Sequence, residues 1–366
     1  MTSANEVIIA AAGAGKTQRL IDMALKDRQE RVLITTYTRE NMSQIEQRLW
    51  SASEGVMDTV STMTWFEFLL RHGVKPYQTY KTEPLRIRSI DFINKKPKFK
   101  KREDFDSYYL DSGNNIYSDA VSDLACVLNF ESQGKVISRL EQLYDTILID
   151  EMQDLAGWDL EFVELLLASH LRVILVGDPR QAVYLTNRSP KNSSYRGTKI
   201  LDWIDKLVRK GLCIRSDMSV SYRCTQAICD FADKLFPLLP QTKSAYASNA
   251  IANGIHLVKP GDVPRYRQIF HPQSLRWDRR NKKAGVGALN FGDVKGREYS
   301  RVLIYPTNPI LKYLENGESL QETSRAKFYV AITRASDSVG IVTEEEALHS
   351  SLDFWSPEDV QSSSVA

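Results

Sequence analysis

Cysteine is scarce: four residues in 366, Cys126, Cys213, Cys224 and Cys229, too few and too scattered for a disulfide framework. Cys224 and Cys229 are close, but no second pair stands at metal-ligand spacing, so all four are expected as reduced thiols. An excess of one charge is also missing. With 48 Lys and Arg against 46 Asp and Glu the net charge is +2, so contact with a polyanion must come from local basic patches rather than a global field. No apolar run approaches the length of a membrane span, and no membrane partner is expected. The polar N-terminus enters the apolar run Val7-Ile8-Ile9 at once, which leaves no room for a signal peptide and makes a cytoplasmic protein the expectation. What is present, 42% hydrophobic residues over 366, suffices for about two or three domains with cores of their own.

One further absence sits inside the most informative stretch. Ala10-Ala11-Ala12-Gly13-Ala14-Gly15-Lys16-Thr17 follows the apolar run and leads into a helical pattern at Leu20, Ile21, Ala24 and Leu25, yet the usual first glycine of a phosphate-binding loop is Ala10. Strand, small-residue loop and helix still form the context such a loop requires. Backbone N–H groups of Ala12, Gly13, Ala14 and Gly15 and of the helix start would converge on phosphates, where bulky side chains would block the approach. Lys16 would reach the terminal phosphates and the Thr17 hydroxyl would ligate Mg²⁺.

The rhythm of strand then helix continues. Val32-Leu33-Ile34-Thr35 leads through Thr36-Tyr37-Thr38 to a helical pattern at Met42, Ile45 and Leu49, as in a parallel α/β sheet. In Met63-Thr64-Trp65-Phe66-Glu67-Phe68, Trp65 is open to two readings, buried packing or a base-stacking platform. From about residue 73 to 138 the strand rhythm disappears, and the segment reads as a small helical insertion. Within it Lys95-Lys96-Pro97-Lys98-Phe99-Lys100-Lys101-Arg102 could track a phosphate backbone, or form a solvated loop balanced by the acidic Glu103-Asp104-Phe105-Asp106. Next, Thr146-Ile147-Leu148-Ile149 delivers Asp150 and Glu151 at its C-terminal end, where an open parallel sheet places ligand chemistry. Asp150 suits Mg²⁺ and Glu151 the polarising of an attacking water. A further strand, Arg172 to Val176, ends in Gly177-Asp178-Pro179-Arg180-Gln181-Ala182-Val183-Tyr184.

With these residues in view the chain resembles the UvrD/Rep-like group of superfamily 1 DNA helicases, in a compact form. Asp150-Glu151-Met152-Gln153-Asp154 matches the Asp-Glu-x-Gln-Asp motif of that family, and Gly177 to Tyr184 its Gly-Asp-x-x-Gln-x-x-Tyr. Ser221-Tyr222-Arg223-Cys224 is similar to Asn-Tyr-Arg-Ser, and Val294-Lys295-Gly296-Arg297-Glu298-Tyr299 to Lys-Gly-Leu-Glu-Phe. Phe328-Tyr329-Val330-Ala331-Ile332-Thr333-Arg334-Ala335 is close to Tyr-Val-Ala-Leu-Thr-Arg-Ala. The motifs run in family order over nearly the whole chain.

The resemblance implies an α/β fold of two RecA-like P-loop NTPase domains with parallel sheets: residues 1–212 with the insertion, residues 213–350, and a flexible tail over 351–366. It implies an ATP-dependent single-stranded DNA translocase or helicase of 3′ to 5′ polarity, with ATP and Mg²⁺ held between the two domains. Position by position, Lys16, Thr17 and Asp150 serve phosphate and metal, Glu151 is the catalytic base and Gln181 senses the terminal phosphate. Arg223 and Arg334 act as arginine fingers, Tyr222 stacks on the adenine and Glu298 holds the ribose. Tyr37, Trp65, Tyr184 and Tyr195 are the candidate nucleic-acid contacts, and single-stranded or forked DNA the partner. Departures matter too. Thr64 and Gly292 replace histidines of the family, an insertion over Leu185 to Ser194 displaces Tyr195, and the interval from Arg223 to Lys295 is too short for a large accessory domain. Compact UvrD-like proteins partner nucleases in bacterial anti-phage systems of the Gabija type. A nucleic-acid-sensing subunit of a nuclease complex, or another DNA-processing assembly, is therefore the alternative reading.

Overall fold

The apolar runs of the first half become strands: β1 (Glu6–Ala10), β2 (Val32–Thr36), β3 (Val60–Thr64), a short ladder of β4 (Ile90–Asp91) with β5 (Ile116–Tyr117), then β6 (Thr146–Ile149), β7 (Arg172–Gly177) and β8 (Ile214–Met218). The computed structural model describes residues 5–53, 58–82, 87–97, 99–344, 352–356 and 358. Six of these strands form one sheet in the order β3-β2-β6-β7-β1-β8, parallel in register from β3 across to β1. Every residue of β2 and β6 is buried, as both faces of a parallel sheet must be when crossover helices cover them. Those helices are α1 (Lys16–Ala24), α2 (Arg39–Ser53), α3 (Trp65–Phe68), α4 (Phe105–Tyr109), α5 (Val121–Glu131), α6 (Lys135–Leu143), α7 (Trp158–Leu167) and α8 (Ile200–Arg209).

The segment expected as an insertion is mostly helical but is no appended lobe. Val121, Leu124, Ala125 and Leu128 of α5 are all 0% exposed and join Phe68 and Phe162 in one core. Burial of that many apolar side chains makes α5 part of the unit's framework, with Val121, Leu124 and Leu128 each contributing about 1.5–3 kcal/mol.

The second half builds its own layers. β9 (Val220–Ser221) pairs with β10 (Lys243–Ser244), and β11 (Gly254–Val258), β12 (Gln273–Arg276), β13 (Leu289–Asn290), β14 (Tyr299–Tyr305) and β15 (Ala335–Val342) complete the strands. The last five form a sheet in the order β11-β15-β14-β12-β13, parallel throughout. Its helices are α9 (Gln226–Lys234), α10 (Val263–Phe270), α11 (Asn308–Asn316) and α12 (Glu322–Ile332). The chain thus divides into two compact units. One holds the described residues of Met1–Ile9, Lys16–Pro179 and Tyr184–Asp217, the other those of Ala10–Gly15, Arg180–Val183 and Met218–Ala366.

The tail expected over 351–366 needs correction where it is described. Trp355 is 2% exposed, its ring meets Tyr266 at 5.1 Å, and its backbone N–H donates to the Leu257 carbonyl at 2.8 Å. The buried indole packs on Tyr266 and Phe270 of α10. Most of the expected tail, including Ser362-Ser363-Ser364, lies outside the described residues. Among the described residues no helix is long and apolar enough to cross a membrane.

Candidate nucleotide and nucleic-acid site

The loop after β1 is built from residues too small to intrude. Ala10, Ala11, Ala12 and Ala14 are at most 3% exposed, while Gly13 and Gly15 take left-handed backbone angles, φ 74° and 78°, that favour glycine. Beside Gly15 there is open space; a Cβ on Gly13 would stand 2.6 Å from Arg223 Cβ and 2.7 Å from Ser221 Oγ. The loop is fastened at several points. Ala11 N–H donates to the Met218 carbonyl at 2.9 Å and Tyr222 N–H to the Gly13 carbonyl at 2.9 Å, and Ala12 N–H reaches the Tyr329 hydroxyl at 3.4 Å. Helix α1 begins at Lys16 with no acidic residue in its first turn, so its positive N-terminal end is not neutralised locally. Lys16 and Thr17 lie half-buried in that turn.

Strand order explains why the acidic pair belongs to the same edge. β6 neighbours β7, and β7 neighbours β1, so three adjacent strands end in the loop, in Asp150-Glu151 and in Gly177-Asp178. Asp150 is 6% exposed and accepts the Glu151 N–H at 2.8 Å. Glu151 itself has a left-handed backbone, φ 55° and ψ 41°, a conformation that costs a non-glycine residue about 1–3 kcal/mol and concentrates at functional sites. Gln153, quoted in the motif but given no role from sequence, ties the strand ends together. Its Nε2 donates to Glu151 Oε2, and its Oε1 accepts the Asp178 N–H at 2.9 Å. Gly177 is required there, because any Cβ would collide with the Gln153 side chain.

Within the second unit the other candidate residues gather around the loop. Arg334 is 2% and Gln181 3% exposed, and Arg334 Nη2 donates to Gln181 Oε1 at 3.4 Å. Arg334 also donates to the Val330 and Arg297 carbonyls at 3.2 and 3.3 Å. Arg223 is anchored to the Thr333 carbonyl at 3.4 Å and ion-pairs with Glu298, the expected ribose contact. Tyr222, the expected adenine platform, is 66% exposed, leaving ring area open. Arg180 escaped the sequence reading. It is 2% exposed and donates from Nη1 to Asp233 Oδ1 at 3.3 Å and to the hydroxyls of Thr242 and Tyr329, each at 3.2 Å.

The nucleic-acid candidates divide. Tyr37 follows β2 and meets Phe66 at 5.8 Å and Tyr184 at 6.4 Å between ring centroids, and Phe66 meets Phe92 at 5.1 Å. Burial is the main cause that raises the Tyr37 pKa, with Asp154 and Asp159 adding to it. Trp65 does not join this row and leaves the nucleic-acid set. It is 2% exposed, donates from Nε1 to Asp159 Oδ1 at 2.9 Å and packs on Phe68 and Phe162; a ring enclosed this way has no free face for a base. Tyr195 sits partly buried against the core of the first unit, in the short turn Ser193–Tyr195. The basic run is partly absorbed into structure: Lys96 and Arg102 both pair with Asp123, whose side chain is 1% exposed. Lys98 lies outside the described residues.

Two family models match the chain: one described as an AAA domain, over residues 1–187, and one described as the viral superfamily 1 RNA helicase core domain, over residues 132–343. No curated protein matches. Among solved structures, Arterivirus nonstructural protein 10 (helicase) is similar at 13% identity and a TM-score of 0.46, over 93% of this chain and 59% of its own. Its complex with DNA is similar at 14% identity and a TM-score of 0.47, over 93% of this chain and 61% of that one. The chain therefore spans about three fifths of the length of those helicases.

Proposed function

The chain belongs to the superfamily 1 helicase core family, the premise from which we propose that it is an ATP-driven translocase of single-stranded DNA. The observation that supports this most is the second unit's own cluster. A glycine loop with two left-handed glycines is packed so closely on Ser221 and Arg223 that no side chain fits at Gly13, and Arg334 reaches Gln181 beside it. Loose phosphoryl transfer needs positioning and positive charge rather than covalent chemistry, and residues of this kind supply both.

The donor set fits a nucleoside triphosphate and Mg²⁺. Open space beside Gly15 and the N-terminus of α1 would receive phosphate oxygens, with Lys16 as their counter-charge. Thr17 and Asp150 would hold Mg²⁺, whose charge would offset that of the phosphates. Glu151, held by Gln153, would take the proton of the attacking water, and Gln181 would orient the terminal phosphate. Arg223 would leave Glu298 to face the phosphates, and Arg334 would add its charge. Tyr222 would stack on the base. Tyr37 and Tyr184 would stack on successive bases of the strand, which is worth about 1–3 kcal/mol per base without regard to sequence. The finer assignment to the UvrD/Rep-like group, with 3′ to 5′ polarity and DNA over RNA, is supported by the ordered motifs alone.

The test is ATP hydrolysis with and without single-stranded DNA, single-stranded RNA or duplex, repeated across salt concentrations because phosphate contacts weaken with salt. Lys16→Ala and Glu151→Gln are expected to lose the single-strand-stimulated rate by about a hundredfold or more. Stimulation that persists in both variants contradicts the site, and stimulation by RNA alone contradicts the choice of DNA.

A further inference from the structure

Phe92 is the outer end of an aromatic row that begins at the sheet edge. Rings follow one another from Tyr184 to Tyr37, Phe66 and Phe92 at 6.4, 5.8 and 5.1 Å. Phe66 is 6% exposed and fills the row from beneath, whereas Phe92 is 63% exposed and Ile93 beside it 91%. The Phe66–Phe92 contact is edge-to-face at 86°, so the inner ring occupies only part of the outer one.

This exposed pair is held in place by its neighbours. Asp91 ends β4, and its Oδ1 accepts the N–H groups of Ile93 at 2.8 Å and Asn94 at 3.0 Å, while Oδ2 accepts Asn94 Nδ2 at 2.8 Å. β4 in turn is pinned in register to β5, Asp91 opposite Tyr117. A turn with three hydrogen bonds to one carboxylate presents its ring with little ordering left to do on binding. The charge that follows it along the chain selects the occupant. Lys95 and Lys101 are exposed, Lys100 pairs at 3.7 Å with Asp104, itself exposed, and Phe99, set among them in sequence, is 97% exposed. Aromatic rings interleaved with lysines suit a polyanion with stackable bases rather than an apolar protein face.

We propose that Phe92 is a base-stacking residue that extends the single-stranded nucleic-acid track from Tyr184 and Tyr37 onto the inserted segment, with Lys95, Lys100 and Lys101 meeting the phosphates. The assignment rests on the motor reading above. Its test is the affinity of the full chain for a labelled oligothymidylate of about 15 nucleotides, followed by fluorescence anisotropy, for wild type, Phe92→Ala, Phe92→Leu and Phe92→Trp. Phe92→Ala and Phe92→Leu are expected to bind about tenfold more weakly, and Phe92→Trp to bind as wild type does. ATP hydrolysis without nucleic acid stays unchanged in all three, and each remains folded at the assay temperature. Equal binding by Phe92→Ala overturns the inference while leaving the motor intact. Full affinity in Phe92→Leu shows an apolar contact without stacking, such as a protein partner would use, and overturns it as well. Failure of the wild type to bind any single-stranded oligonucleotide removes the motor reading and this inference together.

Discussion

Gly13 and Gly15 share a backbone conformation but not a surrounding, and that difference can be measured. Alanine at either position carries the left-handed penalty of about 1–2 kcal/mol. At Gly15 a Cβ meets nothing within 4 Å, whereas at Gly13 it meets Arg223 and Ser221. Gly13→Ala is therefore expected to lower the melting temperature of the nucleotide-free protein clearly more than Gly15→Ala; equal losses would contradict the packing. Much at this scale was legible in the sequence, because a phosphate loop and an acidic strand end use distinctive residue types at short spacing. What was not legible is which of two adjacent aromatics is buried. Trp65 is enclosed and Phe66 stands in the aromatic row because the partner of the Trp65 indole, Asp159, comes from α7, a contact no local pattern encodes. Gln153 was hidden for a similar reason: its importance lies in joining the ends of two strands distant in sequence.

Among the elements, the strands that end in motifs were readable because continuous apolar runs mark strands buried on both faces. β8 was not, since Ile214-Arg215-Ser216-Asp217-Met218 at the sheet edge carries no such run. Nor was the depth to which the stretch from 73 to 138 joins the core, because its short helices and turns break every periodicity before α5. One helical turn here has a pH signature. His72, on the π-helical turn Leu69–Val74, is 5% exposed. Its Nδ1 accepts from Arg139 Nη1 at 3.0 Å, and its Nε2 lies 3.4 Å from the Tyr144 hydroxyl. Burial first, then Arg139 and Arg71, lower its pKa from 6.5 to about 4. The neutral ring is thus the native form. Below pH 6.5 the unfolded chain takes up a proton that the folded one refuses, so this contribution is present above that pH and is lost as pH falls towards 4. It amounts to at most about 3 kcal/mol. Melting curves of wild type and His72→Gln between pH 7 and 4 check this: the wild type should lose more stability across that window, and parallel losses would contradict it.

For the molecule as a whole, sheets built of parallel strands were foreseeable from the alternation of apolar runs and helical patterns, and the ordered motifs pointed to superfamily 1. The sequence did not show that Ala10–Gly15 and Arg180–Val183 would pack with the second unit rather than with the strands they follow. Such membership depends on burial by residues far along the chain, as with Arg180 among Asp233, Thr242 and Tyr329, 53, 62 and 149 positions away. Motor polarity is a property of the same scale. Displacement of streptavidin from biotin at either end of a single-stranded DNA should occur at the 5′ end and not the 3′ end, as a 3′ to 5′ motor requires, and the reverse would contradict the UvrD/Rep-like assignment.

The most direct measurement is the turnover of ATP in saturating single-stranded DNA for Lys16→Ala, Arg223→Ala and Arg334→Ala beside the wild type. An inserted arginine is worth about a thousandfold or more in such chemistry, so each arginine variant is expected to lose single-strand-stimulated turnover to nearly the extent of Lys16→Ala while remaining folded. Wild-type turnover in Arg223→Ala and Arg334→Ala, with Lys16→Ala inactive, would contradict the claim that lysine and arginines act on one triphosphate.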